Sequence, residues 1–273
     1  MSAAWAILQG GRMRRRGRLR HRALAAILRG TMRQAGYEIE IKLRVDDIAA
    51  VRRRLRGIGA RGSGRVHEAN VVFDTADASL RGRGMLLRLR AERPAGNGPG
   101  LKGRGEPRAL LDAWFFPPRG RQRAVVTLKA PPLDAAMRGT GDARVPHGPR
   151  GPYKVRREIE FVVPDSRAFR ELLAALGFGP KFYYEKIRTT YRLPRVRGVE
   201  ITLDETPVGA YLELEGTPAG IDRARRALGY RPGDAILLSY GEIFAAHCRE
   251  RRLTARDMLF DAGKKRSSGF ARR

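Results

Sequence analysis

Glu38, Glu40 and Lys42 occupy alternate positions in one short run, with isoleucines between them. In a β-strand, alternate side chains point to the same face, so two carboxylates and one ammonium group would share one side of this strand. Carboxylates bind hard divalent cations such as Mg²⁺, and a lysine ammonium binds phosphate oxygens. A single strand of this kind also fits the ordinary solvated face of an antiparallel sheet.

The same alternation recurs in six further segments of the chain. Charged residues share one parity, as in Arg88-Leu89-Arg90 and Lys186-Ile187-Arg188. The same-parity cations are Lys42, Arg88, Arg90, Lys129, Arg156, Lys186 and Arg188. The same-parity anions are Glu38, Glu40, Glu158, Glu160, Glu200, Asp204, Glu213 and Glu215. Seven strands with one charged face each fit a common interior better than seven unrelated solvated faces.

A closed antiparallel barrel with these faces turned inward would enclose cationic and acidic zones and would leave no exposed strand edge. Arginine and lysine side chains suit phosphate oxygens. Clustered carboxylates suit a divalent ion that bridges the same phosphates. The residues therefore predict a polyphosphate and metal site inside a β-barrel.

At this point the motifs also match a known family. The chain resembles the CYTH family, or triphosphate tunnel metalloenzymes, which includes class IV adenylate cyclases, thiamine triphosphatases and inorganic triphosphatases. The family signature Glu-x-Glu-x-Lys matches Glu38, Glu40 and Lys42. The resemblance runs over residues 37 to about 245 through these further blocks: Asn70 to Thr75 with Leu80, Leu87 to Arg90, Thr127 to Lys129, Lys154 to Arg156, Glu158 to Glu160, Lys186 to Arg188, Leu203 to Glu205, Gly209, and Leu212 to Glu215.

The resemblance implies an α+β fold that is mainly antiparallel β, with an eight-stranded closed, tunnel-like barrel and helices packed outside. It implies that the seven same-parity cations contact phosphate, and that Lys42, Lys129 and Lys186 are the catalytic candidates among them. It implies metal ligation, direct or supporting, by Glu38, Glu40, Glu158, Glu160, Asp204, Glu213 and Glu215. The expected cofactor is Mg²⁺ or Mn²⁺, and the expected ligand is ATP, tripolyphosphate or thiamine triphosphate.

Two reactions fit such a site. In a triphosphatase, water attacks a terminal phosphorus, whereas in a cyclase the ribose 3′-hydroxyl attacks the α-phosphorus and pyrophosphate leaves. Both depend mainly on positioning and charge neutralisation. Thiamine triphosphatases carry tyrosines just before the Asp-Thr pair, where this chain has Val72 and Phe73. This difference argues against thiamine triphosphate as the substrate. The tyrosines that remain as substitutes are Tyr183, Tyr184, Tyr191 and Tyr211.

The chain of 273 residues carries a net charge of +28, which raises the alternative of nucleic-acid binding. Residues 1–36, 93–157 and 249–273 hold 25 of these 28 charges, so the rest of the barrel sequence is nearly balanced. This distribution makes nucleic acid an unlikely partner and favours a tunnel over a basic groove. The competing classes are a polyphosphate-binding protein without catalysis and an RNA-binding protein that uses the basic arms.

The predicted organisation has three parts. Residues 1–36 form a basic extension, either disordered or produced by a start assigned too early, with Met32 as the alternative start. Residues 37–248 form the tunnel domain, with Gly/Pro/Arg-rich insertions at about 93–122 and 131–152, and residues 249–273 form a basic tail. The apolar run near the N-terminus is too short to span a membrane. We expect a cytoplasmic protein. Its oligomeric state stays open, and a homodimer is one alternative.

Capping residues and helical spacing predict four helices. They cover residues 48–58 after Asp47, residues 169–176 after Asp165, residues 221–228 after Thr217, and about 234–252 at one end of the barrel. The single cysteine, Cys248, excludes an internal disulfide. The histidines lack zinc spacing, and His67 is predicted to be structural or solvent-facing.

Overall fold

The computed structural model of the chain describes residues 32–95, 107–117, 123–132, 153–194, 196 and 198–260. Eight strands form one antiparallel sheet in the order β5-β4-β3-β2-β6-β7-β8-β1, and pairing between β1 and β5 closes it into a barrel. The strands are β1 Met32–Val45, β2 Arg61–Asp74, β3 Leu86–Pro94, β4 Ala124–Ala130, β5 Lys154–Val163, β6 Gly179–Arg192, β7 Val199–Thr206 and β8 Gly209–Gly216. The predicted eight-stranded closed barrel is therefore confirmed.

The outward faces of the strands are apolar and pack beneath helices. Val51 and Leu55 of α1 (Ile48–Gly57) and Ile221 of α5 (Pro218–Ala227) cover the outer face of β1, β7 and β8. Leu111 of α3 (Pro107–Phe115) and Leu173 of α4 (Ser166–Ala175) cover the outer face of β2, β3 and β4. Burial of one such leucine contributes roughly 1.5–3 kcal/mol, so these two cores hold the charged faces inward.

Three of the predicted helices begin at the predicted capping residues. The side chains of Asp47, Asp165 and Thr217 accept hydrogen bonds from backbone N–H groups in the first turns of α1, α4 and α5. A one-turn helix, α2 (Ser79–Gly82), follows β2. The carboxylate of Asp74 accepts from the backbone N–H groups of Leu80 and Arg81, so the Asp-Thr pair has a structural role here.

The predicted fourth helix was wrong at its start. Helix α6 covers Tyr240–Arg251, and a capping box between Ser239 and Glu242 fixes its beginning. The preceding residues form a 3₁₀ turn, Pro232–Asp234, and a short strand, β9 (Ala235–Ile236). Strand β9 pairs with Lys42 and Leu43 of β1 beyond the point where β5 ends. As expected, α6 lies at one end of the barrel.

The aromatic run Trp114 to Phe116, within the predicted insertion, belongs to the core. Phe115 is fully buried and Phe116 is 6 % exposed, both in the cluster beneath α3. Most of the remaining insertion sequence and residues 1–31 of the predicted extension lie outside the described residues, whereas residues 32–36, which were predicted to belong to the extension, are part of β1. Within the described part of the chain, none of the helices is long and apolar enough to cross a membrane.

Candidate functional site: a charged tunnel inside the barrel

The barrel encloses a tunnel of about 1940 Å³ whose walls carry almost all of the predicted site residues. The predicted residues that line it are Glu38, Glu40, Lys42, Arg88, Arg90, Lys129, Arg156, Glu158, Glu160, Lys186, Arg188, Glu200, Glu213 and Glu215. Alternation along each strand brings them together, because every second side chain points inward. The inward placement of the Glu-x-Glu-x-Lys strand is thus observed.

A network of ion pairs crosses the middle of the tunnel. Lys42 Nζ lies 3.0 Å from Glu40 Oε1 and 3.0 Å from Glu213 Oε1. Arg188 also contacts Glu213, and it grips Asp204 with two nitrogens, with 2.7 Å between Nε and Oδ1. Glu68 joins them, since its carboxylate lies 3.2 Å from Lys186 Nζ and 3.5 Å from Arg188 Nε. We call Lys42, Glu68, Lys186, Arg188, Asp204 and Glu213 the central network.

Burial and pairing act against each other in this network. Burial by itself would lower the pKa of Lys42, but the carboxylates of Glu213 and Glu40 outweigh it and raise that pKa above its usual value. Burial would raise the pKa of Glu213, yet Lys42, followed by Arg188, holds it well below the usual range. These groups therefore remain charged at neutral pH, and each charge depends on its partners.

Asp204 is placed differently from the other acidic candidates. Its side chain is fully buried behind Lys186 and Arg188 and does not line the tunnel. Its Oδ2 accepts from Lys186 Nζ over 2.9 Å and from the Tyr240 hydroxyl over 2.7 Å, while its Oδ1 accepts from Arg188. The predicted metal role of Asp204 remains a prediction, and the geometry favours a role in anchoring cations.

Three carboxylates crowd one mouth of the tunnel. Lys129 Nζ lies 2.5 Å from Glu38 Oε2 and 3.2 Å from Glu158 Oε2. Glu215 lies beside them at the rim, where it is partly shielded from water; this burial raises its pKa to about 7, and the negative charges of Glu38 and Glu158 add to the rise against the opposing effect of Lys129. This mouth therefore has excess negative charge that a cation would relieve.

Two arginines in the tunnel lack a carboxylate partner. Arg88 donates to the hydroxyls of Tyr184 over 3.2 Å and Thr127 over 3.0 Å, and Arg156 donates to the carbonyl of Gly84. Among the described residues, no carboxylate lies within 4 Å of either guanidinium group, whereas Arg90 and Arg188 are both paired. Arg88 is only 8 % exposed and lines the tunnel, so its charge is held inside the barrel.

Lys154 is a third tunnel cation that carboxylates neutralise only weakly. Its nearest carboxylate oxygen is Glu40 Oε1, at 3.6 Å. Burial lowers the pKa of Lys154, and the neighbouring cations Lys42 and Arg156 lower it further against the opposing effect of Glu40. The lowered pKa of Lys154 indicates that the electrostatic potential around it is positive. We call Arg88, Lys154 and Arg156 the weakly paired cations.

Comparison with known proteins identifies the domain. The family model described as "CYTH domain" matches residues 36–226 of the chain. The chain belongs to the CYTH family. The predicted resemblance is therefore confirmed, and the CYTH domain coincides with the barrel described above.

Similar proteins agree with this assignment. A protein of Methanocaldococcus jannaschii named "Putative adenylate cyclase" is 24% identical over 192 residues, which cover 70% of this chain and 83% of that protein. A Vibrio parahaemolyticus structure that carries the same words in its description is 17% identical, has a TM-score of 0.53, and covers 78% of this chain and 99% of that one. A Pyrococcus horikoshii structure, at 20% identity and a TM-score of 0.53, covers 77% and 99%. At these identities the structures show a shared fold alone.

CYTH membership implies the use of a divalent cation, and the mouth of the tunnel fits one. Glu38, Glu158 and Glu215 supply the oxygen ligands that hard cations prefer, and burial, together with repulsion from Glu38 and Glu158, raises the pKa of Glu215. Within the described ranges, no three acidic, histidine or cysteine side chains are already gathered around one point. A bound cation would therefore compete with Lys129, which contacts one oxygen each of Glu38 and Glu158.

Three tunnel residues escaped the sequence analysis as site residues. Glu68 lies 3.2 Å from Lys186 Nζ, and Tyr240 reaches the central network from α6. Lys154 begins one of the blocks that resemble the family but was not predicted to contact phosphate. Parity could have found Glu68 and Lys154, since they alternate with Asn70 and Arg156, but no local pattern indicates that Tyr240 points into the tunnel.

The candidate substitute tyrosines separate into two groups. Tyr184 faces the tunnel and contacts Arg88, while Tyr183 and Tyr191 lie in the outer cores and Tyr211 packs in the cluster beneath α6. His67 lies outside the tunnel and is buried, with 2 % of its surface exposed. It is hydrogen bonded to Glu185 at 2.8 Å and stacked on Trp114. Its predicted structural role agrees with this position.

Proposed function

We propose that this CYTH protein is a divalent-cation-dependent enzyme that binds a triphosphate inside the tunnel and cleaves one of its phosphoanhydride bonds. One observation carries the proposal: the weakly paired cations line the same tunnel as the carboxylate-rich mouth. A bare polyanion would be repelled by Glu38, Glu158 and Glu215, so the two zones fit one ligand only when a cation accompanies it.

The residues have distinct roles in this proposal. Arg88, Lys154 and Arg156 bind phosphate oxygens, because their charges are the least neutralised by carboxylates. Glu38, Glu158 and Glu215 hold Mg²⁺ or Mn²⁺, which would supply charge neutralisation on the phosphate oxygens. The central network fixes Lys42 and Lys186 at the inner end of the triphosphate, where their ammonium groups stabilise charge that develops on the leaving group.

The nucleophile distinguishes two reactions. Attack of water at a terminal phosphorus gives hydrolysis, and attack of a ribose hydroxyl at the α-phosphorus gives a cyclic nucleotide and pyrophosphate. A volume of about 1940 Å³ accommodates either a tripolyphosphate or a whole nucleotide. The name of the Methanocaldococcus jannaschii relative favours the cyclase as the second candidate.

Phosphorus NMR of the purified protein tests the proposal. ATP and tripolyphosphate are each incubated with Mg²⁺, with Mn²⁺ and with a chelator. Orthophosphate from either substrate would establish hydrolysis, and cyclic AMP with pyrophosphate would establish cyclisation. Metal-dependent binding without any product would overturn the enzyme assignment in favour of a polyphosphate-binding protein.

A further inference from the structure

The side chain of Tyr240, at the start of helix α6, points into the tunnel. Tyr240 is the first residue of α6, and the capping box formed by Ser239 and Glu242 fixes the helix directly before it. Although α6 lies at an open end of the barrel, the Tyr240 side chain is only 7 % exposed. The beginning of this helix is therefore part of the tunnel wall.

The contacts of Tyr240 converge on the central network. Its hydroxyl donates to Asp204 Oδ2 over 2.7 Å, the same oxygen that accepts from Lys186 Nζ. Its ring centroid lies 5.4 Å from Lys42 Nζ and 5.2 Å from Lys186 Nζ. One side chain from α6 thus contacts lysines on β1 and β6, two strands that do not pair with each other.

An aromatic ring suits the space between these ammonium groups. The ring face attracts cations without adding a formal negative charge, so it can hold the two lysines near each other without neutralising them beyond their carboxylate partners. Burial raises the pKa of the Tyr240 hydroxyl well above its usual value, and the nearby carboxylates of Asp204 and Glu213 raise it further. The hydroxyl therefore stays protonated and remains a hydrogen-bond donor.

We propose that Tyr240 is a positioning residue, which holds the ammonium groups of Lys42 and Lys186 in place for the triphosphate. The hydroxyl acts on Lys186 through Asp204, and the ring acts on both lysines directly. The inference rests on the proposed function for the identity of the ligand, whereas the geometry of the lysines is independent of it. Helix α6 then belongs to the site as well as to the end of the barrel.

Nitrogen-15 NMR of the lysine ammonium groups tests the positioning without any substrate. In the wild-type protein, hydrogen exchange at the Lys42 and Lys186 ammonium groups should be slow, because both are buried and paired. In Tyr240→Leu, exchange at both should be faster by about tenfold. In Tyr240→Phe, which keeps the ring, exchange at Lys186 should be faster by about tenfold while Lys42 changes by less than about twofold.

The matched control is Phe244→Leu, one turn further along α6. Phe244 packs in the same cluster and contacts Phe182, so this variant loosens the helix while leaving the Tyr240 contacts. It should leave exchange at both lysines within about twofold of wild type. Unchanged exchange in both Tyr240 variants, or equal acceleration in the control, would overturn the proposal.

Kinetics with tripolyphosphate and Mg²⁺ give a second readout. Tyr240→Phe should lower kcat by about tenfold and leave KM within about twofold, because the lost hydrogen bond orients Lys186 without touching the ligand. A raised KM with unchanged kcat would contradict a positioning role. If the wild-type protein showed no turnover, the proposed function would fail, and the exchange measurement would still decide the role of Tyr240.

Discussion

Replacing Asp204 with asparagine should destabilise the metal-free protein strongly. The carboxylate is fully buried and accepts hydrogen bonds from Lys186, Arg188 and Tyr240. Its removal leaves Lys186 and Arg188 facing Glu68 and a Glu213 that is already shared with Lys42. The central network then holds three cations and only two carboxylates, and the asparagine NH₂ group adds a hydrogen-bond donor where Lys186, Arg188 and Tyr240 already donate.

The expected magnitude follows from the cost of breaking a buried ion pair, which is about 3–5 kcal/mol in the free energy of unfolding. For a domain of this size, such a loss corresponds to a decrease in Tm of about 10 °C. The exposed pair Arg167 and Glu171, at 3.2 Å, supplies the control. Glu171→Gln should cost less than about 1 kcal/mol, because exposed i,i+4 pairs contribute little.

Urea denaturation followed by circular dichroism, in a chelator, measures both variants. Asp204→Asn should lower the transition midpoint with an unchanged m-value. If its free energy of unfolding stayed within about 1 kcal/mol of wild type while its Mg²⁺ affinity fell, Asp204 would act as a metal ligand, and the anchoring role would be refuted.

Two further predictions concern the ends of the proposed ligand. Arg88→Ala should raise the KM for tripolyphosphate at least about tenfold, because the variant removes a guanidinium group that has no carboxylate partner in the tunnel. The control Arg167→Ala, at an exposed position, should leave KM within about twofold. Equal KM values for the two variants in steady-state kinetics would count against phosphate binding by Arg88. The folded-state pKa of Glu215, about 7, lies above the ordinary value of 4.5, so proton binding favours the folded metal-free protein at low pH, and this contribution is lost as pH rises through 7. Calorimetry in a chelator should therefore show that the Tm of the wild type falls more than that of Glu215→Gln between pH 5 and pH 8, and that Mg²⁺ reverses this difference. Parallel pH profiles of the two Tm values would contradict a raised pKa of Glu215.

Alternation made the barrel predictable from sequence. A period of two puts the charges of β1 and β6 on one face and their isoleucines on the other, and this holds wherever one face must reach a core. The caps at Asp47, Asp165 and Thr217 likewise act within one turn of their helices. Both signals are local, so a single sequence contains them.

The remaining features depend on contacts between distant segments. Asp204 has the same parity as the tunnel residues, yet Lys186 and Arg188 on the neighbouring strand cover it, which reading β7 alone does not reveal. The burial of Phe115 depends on packing against β2 to β4, although its sequence surroundings are rich in glycine and proline. The position of Tyr240 in the tunnel likewise depends on the pairing of β9 with β1, which places the start of α6 at the end of the barrel.

Crystals grown with Mn²⁺ and a non-hydrolysable imido analogue of tripolyphosphate test the central claim most directly. An anomalous difference map locates the manganese, and the phosphate positions follow from the density. The account predicts manganese among Glu38, Glu158 and Glu215, with phosphate oxygens within hydrogen-bonding distance of Arg88, Lys154 and Arg156. Manganese bound at Asp204, or an analogue bound outside the tunnel, would contradict it.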